Sequence, residues 1–111
     1  MIQLEHGNIV LVPFPYSDFS RFKLRPALVV SNESFQGEDI ILCGITSRSS
    51  GINEVKVSPG DLVKGRIPVI SYVRVGKIVS VRKSIIKKIV AKISAKKMRE
   101  VADVLRKITK P

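Results

Sequence analysis

The chain has 111 residues, 44% of them hydrophobic, which is enough for one compact domain but too few for two ordinary ones. Its 20 Lys and Arg against 9 Asp and Glu give a formal net charge of +11, which predicts a polyanionic partner. The single cysteine, Cys43, excludes a disulfide framework and a cysteine-based zinc site. Because the first residues lack a secretory signal and the apolar runs are short, we expect a cytoplasmic protein without a membrane partner.

Strand-like patterns dominate the chain up to about residue 93. Several short runs are rich in β-branched residues, and one of them alternates apolar and polar side chains with the period of two that a half-buried strand shows. Gly76 is expected to form a bulge or bend between the last two runs. The candidate strands are residues 8–12, 26–30, 40–45, 54–58, 67–75 and 78–81. Short strands with frequent turn signals predict a small β-barrel over about residues 7–93.

The apolar period changes near Ser94. From there, apolar residues recur at the spacing of a helix face, which predicts an amphipathic helix over residues 95–108 that docks on the barrel, with Ser94 as its N-cap. Lys96 and Lys97 fall in the first turn, where the helix dipole disfavours positive charge, and this favours a binding role for them. Residues 82–111 hold 11 basic and 2 acidic side chains, so we expect this part to attract phosphates rather than to form only a solvated face. Residues 1–111 are expected to form a single domain.

The residue inventory restricts the possible chemistry. His6 is the only histidine, which excludes a two-histidine acid/base pair within one chain, and the scattered carboxylates predict neither a metal site nor a cofactor. Arg25 and Thr46-Ser47 stand where apolar runs begin or end. A guanidinium beside a hydroxyl would stabilise the extra negative charge on the phosphoryl oxygens if RNA were cleaved by its own 2′-hydroxyl. The alternative is that Arg25 bonds backbone carbonyls and Thr46 is an ordinary strand residue.

Four segments of the sequence, in this order, resemble the MazF/PemK toxins of type II toxin–antitoxin systems. They are GNIVLVPFP at 7–15, RPALVVSN at 25–32, ITS at 45–47 and SYVRV at 71–75. The resemblance covers nearly the whole chain. It implies a mainly β fold, a small SH3-like β-barrel of the MazF/PemK/gyrase-toxin type with a C-terminal α-helix. It also implies a homodimer and a metal-independent endoribonuclease that cuts single-stranded RNA at short motifs, usually leaving a 2′,3′-cyclic phosphate and a 5′-hydroxyl.

The resemblance also implies roles for particular residues. Arg25 and Thr46 match the catalytic pair of the family, and Ser47 and Arg74 occupy positions that assist in some members. The segment from Phe14 to Leu24 matches a loop that borders the RNA groove, and its aromatic residues could stack bases, cover the barrel or form a dimer contact. The residues we predict to bind RNA or an antitoxin are Tyr16, Asp18, Phe19, Arg21, Lys23, Arg48 and Lys77.

The chain departs from the family pattern at three positions. Gly76 and Val79 stand where some members carry an acidic residue and a further Arg, and Asn8 stands where members often have Asp. These departures leave the general base unassigned, with Asp18, His6 and solvent as candidates. Arg25 is an implausible base because its pKa exceeds about 12, so we expect it to stabilise charge.

Three functions follow from these observations. The leading hypothesis is an endoribonuclease toxin neutralised by an acidic antitoxin, a disordered segment of which folds over the basic groove. The second is a toxin of the same barrel type that poisons DNA gyrase by protein contact without chemistry, and the pair Arg25 and Thr46 argues against it. The third is a passive RNA-binding SH3-like module, in which no single residue would be indispensable.

Overall fold

The computed structural model describes residues 3–13 and 23–111, and it confirms the expected mainly β fold with a C-terminal helix. Two short 3-10 turns lie at Pro59–Asp61 and Lys83–Ile85. The strands are β1 (Asn8–Pro13), β2 (Leu24–Val29), β3 (Asp39–Thr46), β4 (Glu54–Val57), β5 (Leu62–Gly65), β6 (Ser71–Arg82) and β7 (Lys88–Ile93), and they are followed by the helix α1 (Ala95–Thr109).

The seven strands form one antiparallel sheet in the order β4-β6-β3-β2-β1-β7-β5, curled into a half-barrel. Because side chains alternate across each strand, the sheet buries apolar residues on both faces. One face, which includes Leu28, Cys43 and Val73, packs against α1 through Met98 and Val101. The buried residues of the other face are Val10, Val12, Ala27, Val29, Ile40, Leu42 and Ile86. Arg25, Thr46 and Arg74 project from this second face, beyond its apolar part.

The structure corrects two expectations about the strands. The runs predicted at 67–75 and 78–81 are one strand, β6, which begins only at Ser71 because Pro68 has no N–H for a ladder and residues 68–69 form a bend. Gly76 lies in the expected bulge, since Cys43 pairs with Ile78 while the next residue of β3 pairs with Arg74. The sequence patterns did not predict β5. Its last residue, Gly65, has a φ of +74° and lies so close to the β7 backbone that a Cβ atom at this position would clash with it.

The helix begins where the sequence predicts. The Ser94 side chain accepts a hydrogen bond of 3.2 Å from the backbone N–H of Lys97, which confirms it as the N-cap. The Nζ atom of Lys97 lies 3.3 Å from a carboxylate oxygen of Glu100 and 3.9 Å from one of Asp61. Lys97 therefore has carboxylate partners within the protein, which weakens its predicted binding role. Lys96, by contrast, is exposed.

Candidate nucleic-acid interface

Arg25 and Thr46 lie on neighbouring strands of the sheet. The antiparallel register of β2 and β3 pairs Ala27 with Gly44 and Leu28 with Cys43. The paired residues end at Ala27 and Gly44, and Arg25 and Thr46 each lie two residues beyond them, so strand alternation directs their side chains to the same face of the sheet. Arg25 is exposed and Thr46 is half-buried, so both groups can be reached from solvent.

The same face continues across β6 and β4. Thr46 pairs with Tyr72, which pairs with Lys56, and Gly44 pairs with Arg74, which pairs with Glu54. The residues between them in β4 and β6, such as Val55 and Val73, point into the core on the other face. The alternation of polar and apolar residues therefore lines up a polar face over four strands, which we call the β2–β4 polar face. Its members are Arg25, Thr46, Glu54, Lys56, Tyr72 and Arg74.

The Thr46 hydroxyl is oriented by the chain that follows it. Its Oγ1 accepts a hydrogen bond of 3.2 Å from the backbone N–H of Arg48. A threonine hydroxyl accepts through its lone pairs and donates through one proton, so this contact leaves the proton to be donated elsewhere. The hydroxyl can thus donate to a phosphoryl oxygen held by the neighbouring guanidinium of Arg25.

Glu54 is the carboxylate of the β2–β4 polar face. Hydrogen bonds from the Ser49 hydroxyl and from the backbone N–H groups of Ser50 and Gly51 lower the pKa of Glu54 to about 2. A carboxylate with so low a pKa is a weak proton acceptor near neutral pH. Glu54 therefore does not fill the role of general base.

A cleft of about 230 Å³ opens beside Arg74. The other residues that line it are Ile52, Asn53, Gly76 and Lys77. A Cβ atom added to Gly76 would meet no atom within 4 Å, so this glycine leaves open the space into which an acidic side chain would project. The departure at Gly76 noted in the sequence thus replaces a negative charge by free volume between two cationic residues.

The remaining predicted contact residues lie around this face or outside the described part. Lys23, Ser47, Arg48 and Lys77 are exposed, at the start of β2, after β3 and at the β6 bulge. Tyr16, Asp18, Phe19 and Arg21 lie outside the described residues, so their predicted roles stay predictions. His6 precedes the far end of β1, whereas Arg25 pairs with Val12 near the other end. Four strand residues span about 13 Å, so the structure does not bring His6 to Arg25.

A larger groove, about 1740 Å³, contains His6 but, among the described residues, none of the predicted catalytic, supporting or contact residues. It runs between the N-terminal segment, residues 31–38 and the start of α1. Two of its cations are paired with carboxylates, Lys92 with Glu5 at 3.0 Å and Arg82 with Glu38 at 3.1 Å. Lys92 and Lys64 lower the pKa of Glu5. The charges of this groove are therefore partly neutralised by pairing within the protein.

Residues 3–13 and 23–111 contain neither a metal cluster nor a membrane-spanning helix. No group of three or more His, Cys, Asp or Glu side chains in these ranges could hold a metal ion. Within the same ranges, no helix is long and apolar enough to cross a membrane. Cys43 is buried in the core as a free thiol, and its burial raises its pKa to about 11.

Sequence reasoning missed three residues of the β2–β4 polar face, namely Glu54, Lys56 and Tyr72. The alternation in Ser71-Tyr72-Val73-Arg74 already indicates that Tyr72 shares a face with Arg74. Glu54 and Lys56 join them only because β4 pairs with β6, and no local pattern predicts which strands become neighbours. Their membership of the site therefore depends on the sheet order.

Comparisons with known proteins agree with this architecture. No match is found among the curated proteins. Three similar solved structures are a mycobacterial endoribonuclease in complex with its cognate antitoxin (18% identity, 98% of each chain covered, TM-score 0.78), the MazE-MazF complex of Deinococcus radiodurans (24% identity, 95% of this chain and 93% of that one, TM-score 0.71), and the Mycobacterium tuberculosis toxin MazF-mt6 (16% identity, 90% and 93%, TM-score 0.70). At these identities the structures show a shared fold.

The sequence itself carries the assignment to a family. Residues 5–109 match the profile described as PemK-like, MazF-like toxin of type II toxin-antitoxin system. The matched range spans every strand and the helix, so it includes the whole β2–β4 polar face. The chain therefore belongs to the PemK-like, MazF-like toxin family of type II toxin–antitoxin systems.

Proposed function

We propose that this toxin is a metal-independent endoribonuclease that cleaves single-stranded RNA at short sequence motifs. The main support is that Arg25 and Thr46 lie on neighbouring strands, on the same face by strand alternation, and that both side chains are accessible to solvent. The similar solved structures include one named an endoribonuclease and two named as MazF proteins, which agrees with this chemistry.

The proposed reaction uses a nucleophile of the substrate. The 2′-hydroxyl oxygen attacks the adjacent phosphorus, and the bond to the 5′-oxygen breaks to give a cyclic phosphate and, after the 5′-oxygen takes a proton from solvent, a 5′-hydroxyl. In the five-coordinate transition state the phosphoryl oxygens gain negative charge, which Arg25 stabilises by two N–H donors and Thr46 by its hydroxyl proton. Arg74 binds a neighbouring phosphate, and Ser47 assists. Solvent or Asp18 accepts the 2′-hydroxyl proton.

The test is an RNA cleavage assay in EDTA. We expect the purified protein to cut a long single-stranded RNA into discrete fragments, and Arg25→Ala to abolish the fragments while it still binds the RNA. Mapping the fragment ends on a defined transcript identifies the sequence motif. Intact RNA together with gyrase-dependent DNA breaks would instead support a gyrase poison, and binding without cleavage would support a passive RNA-binding module.

We also propose the partners that the family implies. An acidic antitoxin would compete with RNA for the exposed cations of the β2–β4 polar face, and two of the similar structures are named as complexes of this kind. A homodimer would cover exposed apolar side chains such as Ile52, Ile70 and Ile78. We place this activity in the cytoplasm, and sedimentation of the free toxin and of its antitoxin complex tests the assembly.

A further inference from the structure

Glu54 and Arg74 are direct partners across two strands. The register of β4 and β6 pairs their Cα atoms, and alternation sends both side chains to the β2–β4 polar face. Opposite charges at such a position are about 5 Å apart at Cβ and ordinarily form an ion pair. A bidentate pair would occupy the guanidinium that the proposed function assigns to an RNA phosphate.

The structure shows a different arrangement of the carboxylate. One oxygen accepts hydrogen bonds from the Ser49 hydroxyl and from the Gly51 N–H, the latter at 3.0 Å. The other accepts from the Ser50 N–H at 3.0 Å and from the Ser50 hydroxyl at 3.3 Å. Each oxygen is thus held by two donors of the β3–β4 loop, residues 47–53, and the carboxylate is directed at that loop.

Arg74 correspondingly has no acidic partner among the described residues. It is half-buried and lines the cleft beside Gly76, and it forms no ion pair with any carboxylate in residues 3–13 or 23–111. The hydrogen bonds of the loop, rather than Arg74, lower the pKa of Glu54. The two residues face each other, but the carboxylate is bound by the loop rather than by the guanidinium.

We propose that Glu54 is a positioning residue whose capture by Ser49–Gly51 keeps the Arg74 guanidinium available for a phosphate of the substrate. This inference rests on the proposed function for the phosphate, but the capture itself concerns only the free protein. The loop gains order from the carboxylate, and the cleft beside Arg74 gains a fixed wall at Ile52 and Asn53. The Glu54 carboxylate thus stays beside the site without forming an ion pair with Arg74.

The decisive experiment asks whether a further substitution restores the RNA cleavage that a first pair of substitutions reduces. The double variant Ser49→Ala/Ser50→Ala removes one hydroxyl donor from each carboxylate oxygen and lets Glu54 turn toward Arg74. We expect cleavage of the RNA to fall about fivefold or more in kcat/KM, chiefly through KM. Adding Glu54→Gln to this double variant removes the competing charge and should restore at least half of the loss. A triple variant no better than the double variant would overturn the proposal.

Controls separate this effect from a change in fold. Ser34→Ala/Ser84→Ala replaces two exposed serines away from the β2–β4 polar face and should leave kcat and KM unchanged. Circular dichroism and the urea midpoint of every variant show whether the fold is kept. If the control pair loses as much cleavage as Ser49→Ala/Ser50→Ala, the special role of the loop is refuted.

A second readout needs no RNA. In the wild-type protein, the NMR signal of the Glu54 carboxyl carbon should stay at its ionised position down to about pH 3, and Arg74→Ala should not move its pKa. In the Ser49→Ala/Ser50→Ala background, Arg74→Ala should raise the pKa of Glu54, because the two groups now pair. If Arg74→Ala raises the pKa of Glu54 in the wild-type background as well, the proposed capture of Glu54 by Ser49–Gly51 is overturned. If the NMR results are as expected but the wild-type protein does not cleave RNA, only the proposed function is refuted.

Discussion

The toxin carries positive charge in two regions that differ in how their carboxylates are bound. Residues 82–111 hold most of the net charge, yet Arg82, Lys92, Lys97 and Arg106 lie within 3.0–3.3 Å of carboxylate oxygens. The β2–β4 polar face holds fewer cations, and its own carboxylate, Glu54, is bound by a loop. The contrast teaches that net charge predicts attraction of a polyanion, whereas local pairing determines which cations can bind an individual phosphate.

The two regions also differ in how firmly their cations are positioned. Arg74 lies in a strand that is paired with neighbours on both sides at that residue, and Arg25 is paired with Val12 of β1. The exposed lysines of α1 lie at the ends of long flexible side chains and form at most weak surface pairs. We therefore expect substitutions on the β2–β4 polar face to change the cleavage step, and substitutions on α1 to change mainly RNA binding.

The largest effect is expected at Arg25. Arg25→Ala removes the guanidinium that stabilises the transition state, and loss of one such donor typically costs about 100- to 1000-fold in kcat. Single-turnover cleavage of a short RNA in EDTA measures the effect. Arg25→Lys keeps the charge but loses the bidentate geometry, and it should remain at least tenfold impaired. Near wild-type cleavage by Arg25→Lys would show that the planar fork is not required.

A smaller loss is expected at Thr46. Thr46→Val keeps the shape of the side chain but removes the hydroxyl that receives the Arg48 N–H and can donate to phosphate. We expect about a 10- to 100-fold lower kcat with little change in KM, measured in the same assay. Ser47→Ala, next to it on the exposed side, should cost less. An equal loss in both variants would mean that the orientation of the Thr46 hydroxyl by Arg48 has no special importance.

These two residues also show how far the sequence alone leads. The bulge at Gly76 and the N-cap at Ser94 depend on local patterns and are where the sequence predicts them. In contrast, β2 begins two residues before its predicted start and β3 ends one residue after its predicted end, so that Arg25 and Thr46 lie within their strands. The shared face of Arg25 and Thr46 depends on the register between β2 and β3. The resemblance implies their proximity, but spacing in the sequence cannot establish it.

Other parts of the site depend on long-range pairing and escape prediction. The sequence indicates Glu54 only as part of an alternating strand, because its four donors and its position opposite Arg74 arise from the β3–β4 turn and the β4–β6 register. For Lys97, the first-turn position favours a binding role, although its nearer partner, Glu100, is only three residues away, and only its second partner, Asp61, is distant in sequence. Local patterns indicate which way a residue points, and the sheet order determines what it meets.

The exposed lysines of α1 and of its C-cap test whether cations outside the β2–β4 polar face affect RNA binding but not cleavage. Within the described residues, Lys96, Lys107 and Lys110 form no ion pair with a carboxylate. The triple variant with Gln at these positions should weaken RNA binding a few-fold and reduce the log–log salt slope by about 0.7 for each phosphate that the variant no longer binds. Its single-turnover cleavage rate at saturating protein should match the wild type. A large fall in that rate would contradict the division between attraction and chemistry.

Ser94→Ala should change stability without changing cleavage. The substitution removes the hydroxyl that caps α1, which typically costs about 1 kcal/mol of folding free energy. The urea midpoint should fall accordingly, while kcat and KM at a temperature well below unfolding should stay unchanged. As a matched control, Ser84→Ala, at an exposed position in the turn before β7, should leave the midpoint unchanged. Reduced cleavage by folded Ser94→Ala would instead connect the helix to the catalytic face.

The smallest effect is expected in the acid dependence of stability. Glu54 has a pKa of about 2 in the folded chain against an ordinary value of 4.5, so the folded state binds its proton less tightly than the unfolded chain. Its stabilising contribution is therefore complete above about pH 4.5 and is lost as the pH falls toward 2. The difference in urea midpoint between wild type and Glu54→Gln should be constant from pH 5 to 8 and shrink below pH 4.5. A constant difference down to pH 3 would mean that the loop donors do not favour the ionised carboxylate.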